Sequence, residues 1–119
     1  MDTKEKLKTL MDSKFGDGQT SMLNLLVDKI SLKDMLFIRN HLIDDKFISI
    51  MEDKDMCSCI EEFFKYNLNV AETSRNSFLH RNTLLYRLNK IHTLTGFNVR
   101  SLDDAVTFMI LAKIYKLTV

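Results

Sequence analysis

Residues 69–96 read NVAETSRNSFLHRNTLLYRLNKIHTLTG, and their punctuation decides the architecture. Asn69 is a residue type that accepts hydrogen bonds from the free amides at a helix start, so it caps a short helix from Val70 to about Ser77. Phe78-Leu79-His80 is a tight connection. A longer helix follows from Arg81 to Thr95, and Gly96 stands where a left-handed C-terminal cap belongs. At the helical period, Leu84, Leu88, Ile91 and Thr95 share one stripe and form the expected buried face. Asn82, Tyr86, Asn89 and Thr93 lie opposite, with Lys90 beside them and Arg81 and Leu85 flanking.

Working outward, the rest of the chain agrees with helices. Its 119 residues contain no proline and only Gly16, Gly18 and Gly96, while 45% are hydrophobic, enough for a core. A first helix is expected over about Asp2–Ser13, ended by Gly16-Asp17-Gly18, and a second over about Ser21–Ile30. Ser31 caps a third, which carries Met35, Leu36, Ile38, Leu42 and Ile43 inside. Asp44-Asp45-Lys46 ends or bends it, and Phe47, Ile48, Ile50 and Met51 form an apolar segment of undecided form. A helix over about Asp55–Tyr66 buries Cys59, Ile60, Phe63 and Phe64. Ser101-Leu102-Asp103-Asp104 opens a closing helix to about Lys116 that is apolar nearly all round, suited either to the core or to a second subunit. The expected fold is all-α, a helical bundle. It divides into residues 1–19 (an N-terminal helix or linker remnant), 20–66 (a helical lead-in) and 67–119 (the unit just quoted).

Charge narrows the function. The net charge is +1, but residues 70–100 hold Arg75, Arg81, Arg87, Lys90 and Arg100 against Glu72 alone. A local basic patch on a near-neutral chain suits a polyanion, although an ordinary solvated surface has the same composition. Cys57 and Cys59 have neither redox nor structural-zinc spacing, and they read as small apolar residues. No phosphate loop, metal-ligand set or acid–base pair is present in the sequence, and His41, His80 and His92 stand alone, so no enzyme, metal or cofactor is expected. The chain has no apolar run long enough for a membrane span and no secretory signal, so a cytoplasmic location is expected.

A short helix, a three-residue turn and a longer helix make the helix-turn-helix pattern. Amides, a phenol and cations on the outer face of the longer helix suit the major groove of DNA, where Asn reads adenine, Arg reads guanine and cations meet phosphates. A solvated helix face carries the same residue types.

The residues His80-Arg81-Asn82-Thr83-Leu84, then Tyr86-Arg87-Leu88, Ile91 and Leu94-Thr95-Gly96 closely resemble the C-terminal helix-turn-helix of the PucR/CdaR family of transcriptional regulators, whose DNA-binding unit is related to the Fis type. The resemblance extends over most of the chain except the first 20 or so residues, loosely over about Leu23–Tyr66. It implies an all-α fold and sequence-specific binding of double-stranded DNA, usually at the end of a longer regulator. The chain is thus expected to be a C-terminal fragment or a short stand-alone regulator. Three departures stand out. Leu85 is where the family often has Arg, Ser77 where a core Leu is usual, and Ser74 where Ala is usual. The shorter helix is left with Val70 as its firmly buried residue, so the motif is expected either to be looser than usual or to be filled by Phe78 and Leu79.

The helix Arg81–Thr95 is expected to enter the groove by its N-terminal end. Arg81, Asn82 and Tyr86 then meet base edges or the groove. His80, Thr83, Arg87 and Lys90 meet phosphates, joined by Arg75, although Arg87 lies close enough to the core edge for its stem simply to pack. A homodimer on paired half-sites is expected, because one such unit offers few contacts. The rival reading is a protein-interaction module that keeps the fold and has lost strong DNA binding, which an exposed Leu85 favours.

Overall fold

The computed structural model describes Val27 and residues 29–118. The expected helix over Asp2–Ser13, the break at Gly16-Asp17-Gly18 and nearly all of the helix over Ser21–Ile30 lie outside the described residues. Among the described residues the regular structure is entirely helical: α1 (Leu32–Leu42), α2 (Asp45–Glu52), α3 (Lys54–Lys65), α4 (Val70–Ser77), α5 (Arg81–Thr95) and α6 (Leu102–Thr118).

Local chemistry sets the helix starts. Ser31, Asp44, Asp53 and Asn69 each accept a backbone amide of the following turn, at distances from 2.9 to 3.2 Å. The undecided segment after Asp44 is therefore a helix, since the Asp44 carboxylate takes the Phe47 amide at 2.9 Å. Asp53 also shifts the start of α3 one residue ahead of its expected place, to Lys54. At α5 the cap is His80, whose Nδ1 accepts the Asn82 amide at 3.1 Å. With Nδ1 as acceptor, the ring proton is assigned to Nε2.

The core is built where these helices cross. α6 packs along α1, α2 against α3 and α5, and α3 against α4 and α5. Phe63, Leu84, Ile91, Phe108 and Ile114 are fully buried. Phe108 is the hub, with ring centroids 4.9 Å from Phe47, 6.0 Å from Phe97 and 6.1 Å from Phe64. So α6 belongs to the core through Ala105, Phe108, Leu111 and Ile114, while Leu102, Val106 and Leu117 on its other face are exposed. Glu61 on α3 bonds Lys116 on α6 at 2.9 Å. That bond holds the Glu61 carboxyl below the usual carboxylate range, and the small contribution of this exposed pair fades as pH falls through that range. On α1 the expected inner set divides: Met35 and, just beyond the helix, Ile43 are buried, but Leu36 and Leu42 are exposed.

The shorter helix of the motif departs most from expectation. Thr73, rather than Val70, is its fully buried residue, and Val70 is half-buried. The Thr73 hydroxyl donates to the Asn69 carbonyl at 2.7 Å, so the buried polar group is satisfied locally. Ser74 and Ser77 do not leave an apolar gap either. The Ser74 hydroxyl donates to the Leu79 carbonyl, and the Ser77 hydroxyl faces the Glu62 carboxylate at 3.5 Å. Leu79 packs against the core, but Phe78 points into solvent at 97% exposure, in a left-handed conformation that ends α4.

Gly96 ends α5 as its position in the sequence requires. Its φ is 81°, and its amide donates to the His92 carbonyl at 2.9 Å. A Cβ placed there would meet no atom within 4 Å. Gly96→Ala thus carries only the backbone penalty of the left-handed region, an expected loss of about 1–2 kcal/mol in urea denaturation. An unchanged stability would show that this cap relaxes freely.

Candidate nucleic-acid interface

α5 is held from behind and bare in front. Leu84, Leu88 and Ile91 are buried against the core, while Thr95, the fourth member of the expected stripe, is half-buried at the helix end. The Thr95 hydroxyl donates to the Ile91 carbonyl at 2.7 Å. On the outer face Arg81, Asn82, Tyr86, Asn89, Lys90 and Thr93 are all exposed. Six contiguous polar or cationic side chains thus lie on a helix whose other side is locked in place, which gives a rigid polar ridge.

The ridge has a different neighbour on each flank. On one side Arg87 is half-buried in a small cleft with Thr73, Ser77 and Leu79 from the motif's first half, and with Cys59 and Glu62 of α3. Burial pushes the Cys59 thiol up, while the Arg87 guanidinium beside it pulls the other way. On the other side Leu85, Asn89 and His92 line an open groove of about 820 Å³, which Asn82 and Tyr86 also border. Its far wall is the α5–α6 turn, with Asn98, Arg100 and Ser101.

The expected contact residues are therefore not all in one place. Arg81, Asn82, Tyr86 and Lys90 are exposed along the ridge, and His80 is exposed at its N-terminal end, with Thr83 half-buried near the α4 side. Arg75 is exposed on α4 and pairs with Glu72 at 2.8 Å. Arg87 is set apart, turned toward α3. The sequence reading did not include Asn89, His92, Asn98, Arg100 or Ser101 among the contacts. Asn89 already stood on the polar face by its phase, and Arg100 stood in the basic patch. What was missing was the path of the turn after Gly96.

The electrostatics of the helix starts single out α5. The first turns of α1, α2, α3 and α4 carry Asp34, Asp45, Asp55 and Glu72, and that of α6 carries Asp103 and Asp104. Such acids stabilise the positive end of the helix dipole. α5 has no acid there and begins with Arg81 instead. Its N-terminal end is thus the one helix start among the described helices whose positive potential is left uncompensated by a first-turn carboxylate.

Comparison with known proteins agrees with this geometry. Residues 58–114, from the middle of α3 to near the end of α6, match the family model described as the PucR C-terminal helix-turn-helix domain. The chain is 48% identical over 42 residues to the carbohydrate diacid regulator of Escherichia coli strain K12, covering 35% of this chain and 11% of that protein. It is 27% identical over 84 residues to the purine catabolism regulatory protein of Bacillus subtilis strain 168, covering 71% of this chain and 15% of that protein. A leucine-rich protein of Streptococcus dysgalactiae subsp. equisimilis is 30% identical over 60 residues, covering 50% of this chain and 21% of that protein. The chain therefore spans about a tenth to a fifth of the length of these curated relatives. No solved structure matches it. Residues 58–114 are thus a PucR-type C-terminal helix-turn-helix domain, and the match together with relatives named as regulators supports a family of DNA-binding transcriptional regulators.

Proposed function

We propose that this chain binds double-stranded DNA and regulates transcription by laying α5 in the major groove, N-terminal end first. The observation that carries the reading is the N-terminal end of α5: no first-turn acid, with Arg81 in its place, at the head of an exposed polar ridge. A bare positive helix end suits phosphate. Asn82 and Arg81 have the donor geometry for adenine and guanine edges, and Tyr86 lies one turn further along the same face. His80, Thr83 and Lys90 border this face and meet phosphates, with Arg75 reaching the same backbone from α4 if it leaves Glu72. Arg87 serves first to brace α5 against α3, because its side chain lies beside Cys59; its expected phosphate contact is limited to the mouth of that cleft.

One ridge reads few base pairs, so the working form is proposed to be a homodimer on paired half-sites, in the cytoplasm with its DNA. Leu32 and Phe37 on α1, 68% and 60% exposed, supply apolar surface for such pairing. The same residues support the second reading, a module that binds another protein. Among the described residues no helix is long and apolar enough to cross a membrane.

The test is binding to duplex DNA, with and without a selected operator sequence, by wild type and Asn82→Ala. Wild-type affinity is expected to fall steeply as salt rises. Asn82→Ala is expected to lower affinity for the selected sequence by about 1–3 kcal/mol while leaving non-specific binding nearly unchanged. A folded protein with no duplex binding at low salt would move the reading to the protein-interaction module.

A further inference from the structure

We propose that the α5–α6 turn is a second wall of the interface, and that Arg100 holds there the phosphate backbone of one DNA strand. This rests on the groove-reading function of α5 and adds to it a contact outside the helix-turn-helix.

The argument starts from the flanks of α5. The major groove is about 12 Å wide and admits one helix, so whatever borders that helix on either side meets a sugar-phosphate backbone rather than base edges. α4 borders α5 on the Arg87 side, and the turn at residues 98–101 borders it on the Leu85 side. The open groove between α5 and this turn, about 820 Å³, is within the roughly 300–1,000 Å³ of ligand-sized sites. It has room for a stretch of backbone.

The turn is built to hold its shape without a ligand. Val99 is fully buried and anchors it to the core. The Asn98 amide donates to the Asp104 carboxylate at 2.9 Å, and the Asn98 carbonyl accepts the Ser101 amide at 2.9 Å. The Asn98 side-chain oxygen accepts the Arg100 amide at 3.3 Å. The Arg100 backbone is thus fixed while its side chain is exposed at the groove wall. Among the described residues its guanidinium makes no ion pair, whereas Arg75 and Lys116 each have a carboxylate.

Charge around the groove fits an anion. Among the described residues, Arg100 is the one lining side chain with a permanent charge, and no carboxylate lines the groove. Asp104 is half-buried and engaged with the Asn98 amide, and Asp103 is outside the lining. Asn98, Ser101 and His92 add hydrogen-bonding groups around the same wall. The guanidinium fork is well matched to a phosphate, and among the described residues Arg100 has no competing partner from which it must first be released.

The experiment measures anisotropy of the whole chain on random-sequence and operator-selected duplexes between about 50 and 200 mM salt. Wild type is compared with Arg100→Gln, Arg100→Lys and Asn82→Ala, each first shown by circular dichroism to melt as wild type does. Arg100→Gln keeps a polar, hydrogen-bonding side chain but is shorter and loses the charge and the guanidinium fork. It is expected to weaken all duplexes by the same factor and to reduce the slope of log affinity against log salt by about one. Arg100→Lys is expected to keep the wild-type slope. If wild type binds with its salt dependence and Asn82→Ala loses sequence preference, but Arg100→Gln matches wild type, the second wall is overturned and the groove reading stands. A sequence-dependent loss in Arg100→Gln would likewise overturn it, by making Arg100 a base-reading residue. If wild type does not bind duplex DNA at all, the groove reading falls and this proposal falls with it.

Discussion

Phe108→Ala is expected to remove about 3–5 kcal/mol of stability, a large fraction of what a domain of this size has in hand. The ring is fully buried in α6, where its neighbours come from three other parts of the chain: Phe47 on α2, Phe64 on α3 and Phe97 just after α5. Truncation leaves a void bounded by rings from separate elements, which cannot all collapse into it. It also removes tilted and edge-on aromatic contacts, each worth about 0.5–1.5 kcal/mol beyond burial. Urea denaturation followed by helical ellipticity measures the loss, and the matched change on the same helix is Val106→Ala. Val106 is 40% exposed, so that substitution is expected to cost under about 0.5 kcal/mol. Similar costs at the two positions would mean that α6 does not dock through Phe108.

The parts of this fold that were legible in the sequence are those fixed by neighbours in the chain. Asn69, the turn at Phe78-Leu79-His80 and Gly96 gave α4 and α5 their bounds, because capping and the left-handed cap are local events. The buried stripe of α5 followed from helical phase alone. The segment Phe47-Ile48-Ser49-Ile50-Met51 was not legible. A short apolar run fits strand or helix by period, and the decision rests on the Asp44 cap and on packing against α3 and α5. Thr73 was missed because its hydroxyl reads as polar, although a carbonyl one turn back satisfies it in the core. Phe78 was one candidate to fill the gap beside Ser74 and Ser77, but the left-handed turn carries its ring outward. Leu36 and Leu42 were expected inside on apolarity, yet both are exposed; of α1 itself, only Met35 is buried. The site divides along the same line. The α5 ridge was visible as a helix face, whereas the placing of Arg100 across from it depends on how Val99 is anchored, a contact no local pattern encodes.

Arg81→Glu is expected to make the protein more stable and to weaken its proposed DNA binding by about a hundredfold or more. α5 lacks the first-turn acid that α1, α2, α3, α4 and α6 all carry, and it places a cation against the positive end of its own dipole. Exchanging that cation for a carboxylate is expected to stabilise folding by about 0.3–1 kcal/mol. Arg81 is exposed, so no packing opposes the gain. In the proposed complex the same exchange removes a contact worth about 1–3 kcal/mol and sets a negative charge against phosphate. Together these lower duplex affinity by about a hundredfold or more. Thermal melting and duplex titration at low salt read the two effects separately. Higher stability with unchanged affinity would mean that the N-terminal end of α5 does not face DNA. Lower stability would mean that Arg81 makes a contact within the fold that outweighs the dipole. Opposite signs in the two measurements are the expected mark of a helix start kept short of its best stability by what it has to bind.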